Sequence, residues 1–199
     1  GLSPYSDETA LRIQNLAYGR PAQAGEHELR VAYPIYSIIF FIPFALIGDF
    51  TLARALWMTL LEVGLLLLAF FSLKAISWKP NLISLIFFSL FSVLWYHAIR
   101  PLVNGNIIIL VTLGIVGAML AIRSGADEVA GVLLALTTIK PQVVVILITF
   151  IAIWATINRR WRLIAWLLGT LVLLIASGLF LLPDWILQNI REVIRYPGY

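Results

Sequence analysis

Long apolar segments with almost no charge are the feature that most constrains this chain. Of its 199 residues, 61% are apolar and 12% are charged, whereas a soluble domain carries about 25% charged residues. So little charge cannot cover a soluble surface, which excludes a water-soluble globular enzyme and indicates a polytopic membrane protein. The apolar segments that follow residue 50 are 55–73, 82–98, 107–122, 129–157 and 163–182.

The apolar segment 129–157 is interrupted by Lys140-Pro141-Gln142. Proline removes a helical hydrogen bond and disfavours helix at the residue before it. We therefore expect two shorter helices that form a hairpin with Lys140 at its tip. Segment 163–182 is uncharged and reaches the length of about 20 residues that a helix needs to cross a bilayer.

Both ends of the chain are expected outside the bilayer or at its surface. Residues 1–30 are polar and hold a candidate helix, Asp7–Tyr18, with Ser6 as its N-cap. Val31–Gly48 is apolar but short and contains two prolines, so we expect an interfacial or re-entrant helix there, with a true span as the alternative. After Pro183, one side of a helix that we expect to lie in the membrane surface is apolar. That side is formed by Ile186, Leu187, Ile190, Val193 and Ile194.

Together these segments predict an all-α fold, namely a polytopic membrane helical bundle. It should contain about six transmembrane or half-length helices, with interfacial helices at both ends. The expected division is an extracytoplasmic loop with an interfacial helix at 1–50, the transmembrane bundle at 51–183 and an interfacial amphipathic helix at 184–199.

The loops between the apolar segments form two alternating sets that differ in charge. One set carries six basic residues and the other carries three, Arg54, Arg100 and Lys140. The positive-inside rule places the more basic set in the cytoplasm, and therefore places His97–Asn106 and Lys140–Gln142 on the outer face. The six basic residues are Lys74, Lys79, Arg123, Arg159, Arg160 and Arg162.

Two groups of polar residues on that outer face are candidates for binding a substrate. His97, Arg100, Asn104 and Asn106 lie between two apolar segments, and guanidinium and amide groups are directional donors for phosphate or sugar oxygens. The alternative is an ordinary turn with a cation near the lipid head groups.

The second group is Lys140 with Gln142. A lysine inside an apolar run is costly unless it reaches water, a head group or an anion, and the proline beside it frees backbone groups to line a site. The alternative is a lysine that extends from a hairpin tip to the membrane surface.

The sequence contains little else that carries chemistry. Glu62 lies near the middle of segment 55–73, where we favour a structural polar contact over a proton relay. The chain has no cysteine and no metal-binding motif, so we expect no metal and no cofactor. No basic run is longer than Arg159–Arg160, which makes membrane lipids rather than nucleic acid the expected partner.

The order of several short motifs resembles one enzyme family. The chain opens with Gly1-Leu2-Ser3-Pro4-Tyr5, and Tyr33-Pro34 heads a short apolar stretch. Further motifs follow in order: Leu56-Trp57, Asn104-Gly105-Asn106, Ala130 to Leu136 leading into Lys140-Pro141, and Arg159-Arg160-Trp161-Arg162. This series is similar to glycosyltransferase family 87, the polyprenol-phosphate-mannose-dependent α-mannosyltransferase-like proteins of the GT-C membrane fold. The family often has Gly-Gln where this chain has Asn104-Gly105.

The resemblance implies an integral membrane hexosyltransferase of the bacterial plasma membrane with an extracytoplasmic active face. A mannose-like sugar would pass from a polyprenyl-phosphate donor to a glycan or glycolipid acceptor. Lys140, Arg100 and His97 would bind the donor phosphate, and Asn104, Asn106 and Gln142 the sugar or the acceptor. The family's catalytic aspartate would precede Gly1, so we expect this chain to be a segment of a longer protein. The catalytic residue is therefore unknown here.

Two other functions remain open from the sequence. A transporter or lipid flippase would use broken helices and Glu62, but such proteins usually show inverted repeats, and none is visible here. A non-catalytic membrane scaffold would not depend on a lipid-linked sugar.

Overall fold

The computed structural model describes residues 2–195, and within that range every regular element is helical. The contacts divide the chain into two compact units. One contains residues up to 39 and from 173 onward, and the other contains residues 40–172. The helices are α1 (Asp7–Tyr18), a 3-10 helix (Ile35–Phe40), α2 (Ile42–Ala45), α3 (Phe50–Ala75), α4 (Leu82–Leu94), α5 (Tyr96–Val103), α6 (Ile108–Ser124), α7 (Asp127–Thr137), α8 (Pro141–Ile157), α9 (Trp161–Leu181) and α10 (Trp185–Arg195).

The expected helical membrane bundle is confirmed. Helices α3 and α9 are each long and apolar enough to cross a membrane, and α4 with α5 forms a third candidate that is bent by 43°. Helices α6 and α8 are apolar but shorter. The predicted break at Lys140-Pro141 is also confirmed, since α7 ends at Thr137 and α8 begins at Pro141.

Two apolar segments differ from the single helices expected for them. Segment 82–98 is interrupted at Trp95, whose extended backbone ends α4 and begins α5. No proline or glycine lies at this break, and the Trp95 ring packs against the rings of Phe91 and His97. In Val31–Gly48 the structure places the short 3-10 helix and α2 rather than the one interfacial or re-entrant helix that we expected. Pro34 precedes the 3-10 helix and Pro43 lies in the first turn of α2, where proline has no amide to continue a helix from the preceding residues.

In the unit that holds both chain ends, α1 and α10 are stabilised by polar contacts. The predicted α1 is confirmed with its cap, because the Ser6 hydroxyl accepts a hydrogen bond from the Thr9 amide. Arg30 bonds to Asp7 at 2.6 Å and lies 3.5 Å from Glu192. Glu192 is buried on the polar side of α10. The apolar side of α10 is exposed, which is the arrangement that an interfacial helix requires.

In the unit of residues 40–172, the core lies between α3, α6 and α7, where Leu61, Val111 and Leu134 are buried. A second close approach joins α7 to α9. A Cβ added at Gly131 would lie 2.7 Å from the carbonyl oxygen of Leu163 and from the amide nitrogen of Leu167. Glycine is therefore required for this backbone contact. The three-part division expected from the sequence stays a prediction.

Candidate functional site

The loop Asn104-Gly105-Asn106 connects α5 to α6 and is folded tightly against the end of α5. The amide of Asn106 donates to the carbonyl of Pro101 at 2.8 Å, and the amide of Asn104 donates to the carbonyl of Arg100 at 3.1 Å. Gly105 has a φ of 61°, a left-handed conformation that glycine adopts without steric cost. The loop is thus held in one conformation by its own backbone.

Trp57 of α3 fixes the same loop from a second direction. Its indole nitrogen donates to the carbonyl of Gly105 at 2.8 Å, and its ring is in contact with the rings of Phe41 and Phe44, at centroid distances of 5.0 and 5.2 Å. This role of Trp57 was not predicted from the sequence. The available signal was a tryptophan inside an apolar helix, where a buried indole usually needs an acceptor.

Lys140 and Asn106, which are 34 positions apart in sequence, are brought into direct contact. The Lys140 ammonium donates to Asn106 Oδ1 at 2.8 Å. The same oxygen accepts the amide of Ile108 at 3.0 Å, at the start of α6. Lys140 is half-buried, and burial lowers the pKa of its ammonium because it penalises the charged form.

The position of Lys140 concentrates positive charge. It precedes Pro141, the first residue of α8, and no side chain caps that helix. A helix N-terminus carries partial positive charge and favours anions, so a lysine there is electrostatically unfavourable on its own. A bound anion would compensate both charges. Gln142, in the first turn of α8, is exposed beside this point.

Arg100 and His97 lie on α5, close to the same loop in sequence. The Arg100 guanidinium donates to the Tyr96 hydroxyl at 2.8 Å and remains exposed. The His97 ring meets the Trp95 ring edge-on at a centroid distance of 4.8 Å. His97 also lines a cavity of about 560 Å³ whose other walls are mainly apolar side chains of α3, α4 and α6.

The six candidate residues do not all face one cavity. Asn104 lines a different cavity, of about 520 Å³, beside the start of α3. The structure therefore joins Lys140 and Asn106 directly and holds Asn104 in the same loop. His97 lines the apolar cavity, and His97, Arg100 and Gln142 are all exposed. Within residues 2–195, no group of three or more His, Asp or Glu side chains is placed to hold a metal ion.

The family model of glycosyltransferase family 87 matches residues 32–196, which is most of the chain. This chain belongs to glycosyltransferase family 87. No curated protein and no solved structure matches it. Membership and the apolar helices together identify an integral membrane glycosyltransferase.

In the unit of residues 40–172, the loops of the more basic set lie at the other end of α3 and α6 from the candidate site. Arg123 donates to the Ser77 hydroxyl at 3.0 Å, and Arg160 donates to the carbonyl of Ile122 at 2.9 Å. Arg160 also pairs with Asp127 at 2.5 Å. These contacts gather the three loops that the charge count assigned to one set. The cytoplasmic location of that set stays a prediction.

Glu62 does not make the structural contact that we favoured for it. Its side chain is exposed near the middle of α3, and within the described residues the structure gives it no hydrogen bond or ion pair. The reason is geometric: the buried side of α3 runs through Trp57, Leu61 and Leu65, and Glu62 lies off that side.

Proposed function

We propose that this glycosyltransferase transfers a mannose-like sugar from a polyprenyl-phosphate donor, and that Lys140 and Arg100 bind the donor phosphate. The site would lie on the extracytoplasmic face of a bacterial plasma membrane. The observation that carries the proposal is the half-buried Lys140 ammonium beside the N-terminus of α8. Two positive features at one point favour an anionic ligand such as a phosphate.

The chemistry is a displacement at the sugar's anomeric carbon. An acceptor hydroxyl forms the new C–O bond and loses its proton to a general base, while the bond to the donor phosphate oxygen breaks. Negative charge develops on the departing polyprenyl phosphate, and nearby cations stabilise it in the transition state. We assign the stabilising role to Lys140 and Arg100, and we assign no general base.

The other candidates have separate roles in this proposal. Asn106 is a positioning residue, because its Oδ1 already accepts from the Lys140 ammonium and from the Ile108 amide. His97 borders the apolar cavity of about 560 Å³, which suits isoprenoid units of the donor next to its phosphate. Asn104 and Gln142 are exposed and present amides to a sugar or an acceptor.

The test is sugar transfer by the full-length protein in membranes that contain its own acceptor. Consumption of radiolabelled polyprenyl-phosphate mannose is followed for Lys140→Ala and Arg100→Ala. Removal of one preorganised donor to developing charge typically lowers kcat about 10²- to 10³-fold, and we expect Lys140→Ala to fall in that range. Lys140→Arg, which keeps the charge, should retain part of the activity.

The matched control is Lys79→Ala, an exposed lysine in a loop of the basic set, which should transfer normally. Elution as a single species in detergent establishes that each variant is folded. Wild-type transfer by both Lys140→Ala and Arg100→Ala would refute the site assignment. Absence of any transfer from polyprenyl-phosphate sugar by the wild-type protein would refute the donor.

A further inference from the structure

The cavity lined by Asn104 and Gly105 of the loop 104–106 is separate from the cavity that His97 borders, and the donor-phosphate site proposed above does not use it. Its volume is about 520 Å³, within the range of about 300–1,000 Å³ that small-molecule sites occupy. One stripe of α3 forms part of its wall, since Phe50, Arg54, Trp57 and Met58 follow helical spacing. Asn104 of the loop lines the cavity as well.

Arg54 is the charged group in this cavity. Within residues 2–195 the structure gives its guanidinium no carboxylate and no hydrogen-bond acceptor. The remaining lining is mostly apolar, so the cation lacks a counter-charge where it faces the cavity. The planar guanidinium of Arg54 can donate two hydrogen bonds at once to the oxygens of a phosphate or a carboxylate. The Asn104 side-chain amide adds one uncharged donor group and one acceptor.

The cavity also has an aromatic wall, formed by Trp57 of the same α3 stripe together with Phe41 and Phe44. Trp57 is held by its 2.8 Å bond to the Gly105 carbonyl, and the Phe41 and Phe44 rings pack on it. A flat apolar surface beside directional polar groups suits a sugar ring, which has apolar faces and hydroxyls at its edge. Phe50 is 77% exposed at the same cavity, which leaves apolar surface for a lipid chain.

We propose that Arg54 and Asn104 bind the acceptor, and that this acceptor is an anionic amphiphile carrying a sugar or a similar ring. The inference rests on the proposed function, because a transferase needs a second substrate site beside its donor site. The loop 104–106 links the two sites: Gly105 fixes the aromatic wall through Trp57, and Asn106 holds Lys140.

Binding is tested without donor, on the full-length protein in nanodiscs of neutral phosphatidylcholine. The matched probes are octyl glucoside 6-phosphate and octyl glucoside, which differ only in the phosphate. The phosphorylated probe should bind the wild-type protein at least about tenfold more tightly, which corresponds to about 1.4 kcal/mol. Arg54→Gln should abolish that difference, and Arg54→Lys should restore part of it.

Arg159→Gln is the control, because Arg159 is an exposed arginine in a loop of the basic set. This variant should prefer octyl glucoside 6-phosphate over octyl glucoside by the same factor as the wild-type protein. An undiminished preference for the phosphorylated probe in Arg54→Gln would overturn the proposal, as would the absence of a preference in the wild-type protein. Equal binding of glucose 6-phosphate would overturn the lipid part. Equal binding of octyl phosphate would overturn the sugar part.

The kinetic readout separates this inference from the proposed function. With the full-length enzyme, Arg54→Gln should raise the KM for the acceptor at least about tenfold and leave the KM for the donor unchanged. If transfer from polyprenyl-phosphate sugar is absent in the wild-type protein, the proposed function fails, and the probe assay still decides the Arg54 site. If transfer is present and Arg54→Gln keeps both KM values, the inference alone fails.

Discussion

Replacing Asn106 with alanine tests the contact at the centre of the candidate site. The side chain makes two hydrogen bonds through one oxygen, to the Lys140 ammonium at 2.8 Å and to the Ile108 amide at 3.0 Å. Asn106→Ala removes both. The half-buried ammonium loses this acceptor, and the first turn of α6 loses the partner of one amide.

The expected loss follows from these two bonds. A hydrogen bond to a charged group contributes about 1.5–3 kcal/mol, and loss of a side-chain cap at a helix start costs about 1 kcal/mol. Lys140 is only partly buried, so water replaces some of the first contribution. We therefore expect Asn106→Ala to lower the free energy of unfolding by about 2–3 kcal/mol.

The neighbouring asparagine provides the control. Asn104 is exposed, and within the described residues its side chain has no hydrogen bond, so Asn104→Ala should change stability by no more than about 0.5 kcal/mol. Both variants are compared with the wild-type protein by unfolding in mixed micelles of increasing denaturing detergent, followed by circular dichroism. Equal stability of the two variants would refute the role of Asn106 in holding Lys140 and α6.

Two further predictions concern the scaffold of the larger unit, and both use thermal unfolding in detergent. Asp127→Asn breaks the part-buried ion pair with Arg160 and should lower the free energy of unfolding by about 1–3 kcal/mol. Glu128→Gln, whose partner Arg162 is 79% exposed, should lower it by less than about 1 kcal/mol. A larger loss for Glu128→Gln would contradict the role of the Asp127–Arg160 pair. Gly131→Ala places a Cβ 2.7 Å from the backbone of α9 and should destabilise by about 1–3 kcal/mol. A Cβ at Gly169 meets no atom within 4 Å apart from the backbone of its own helix, so Gly169→Ala should be neutral or slightly stabilising. Equal effects of the two alanines would disprove the close approach.

Local patterns in the sequence were sufficient for most of the helices. Ser6 before Asp7–Tyr18 predicts a capped helix, and the structure places α1 over that range. The proline after Lys140 predicts the break between α7 and α8, because the loss of a backbone donor acts at the residue itself. Hydrophobicity alone identifies the chain as a membrane protein, because hydrophobicity depends on the amino-acid composition and not on contacts between residues.

Features that depend on distant partners were not accessible in this way. The break at Trp95 is a separate case, because the rings that Trp95 contacts belong to the nearby Phe91 and His97 and no proline or glycine marks the position. For Glu62, burial depends on which side of α3 meets the core. The sequence also grouped His97 and Asn104 as neighbours, whereas the structure directs them to different cavities.

The sequence by itself determined a helical membrane protein, the resemblance to glycosyltransferase family 87 and the residue types available for binding an anion. These follow from composition, from proline and capping positions and from motif order, all of which are local properties. Only the tertiary structure decided that Asn106 holds Lys140, that Trp57 bonds to the loop 104–106, and that Arg54 shares a cavity with Asn104. The physical reason is that each of these placements brings together residues far apart in sequence, and the packing of the helices sets which of them meet.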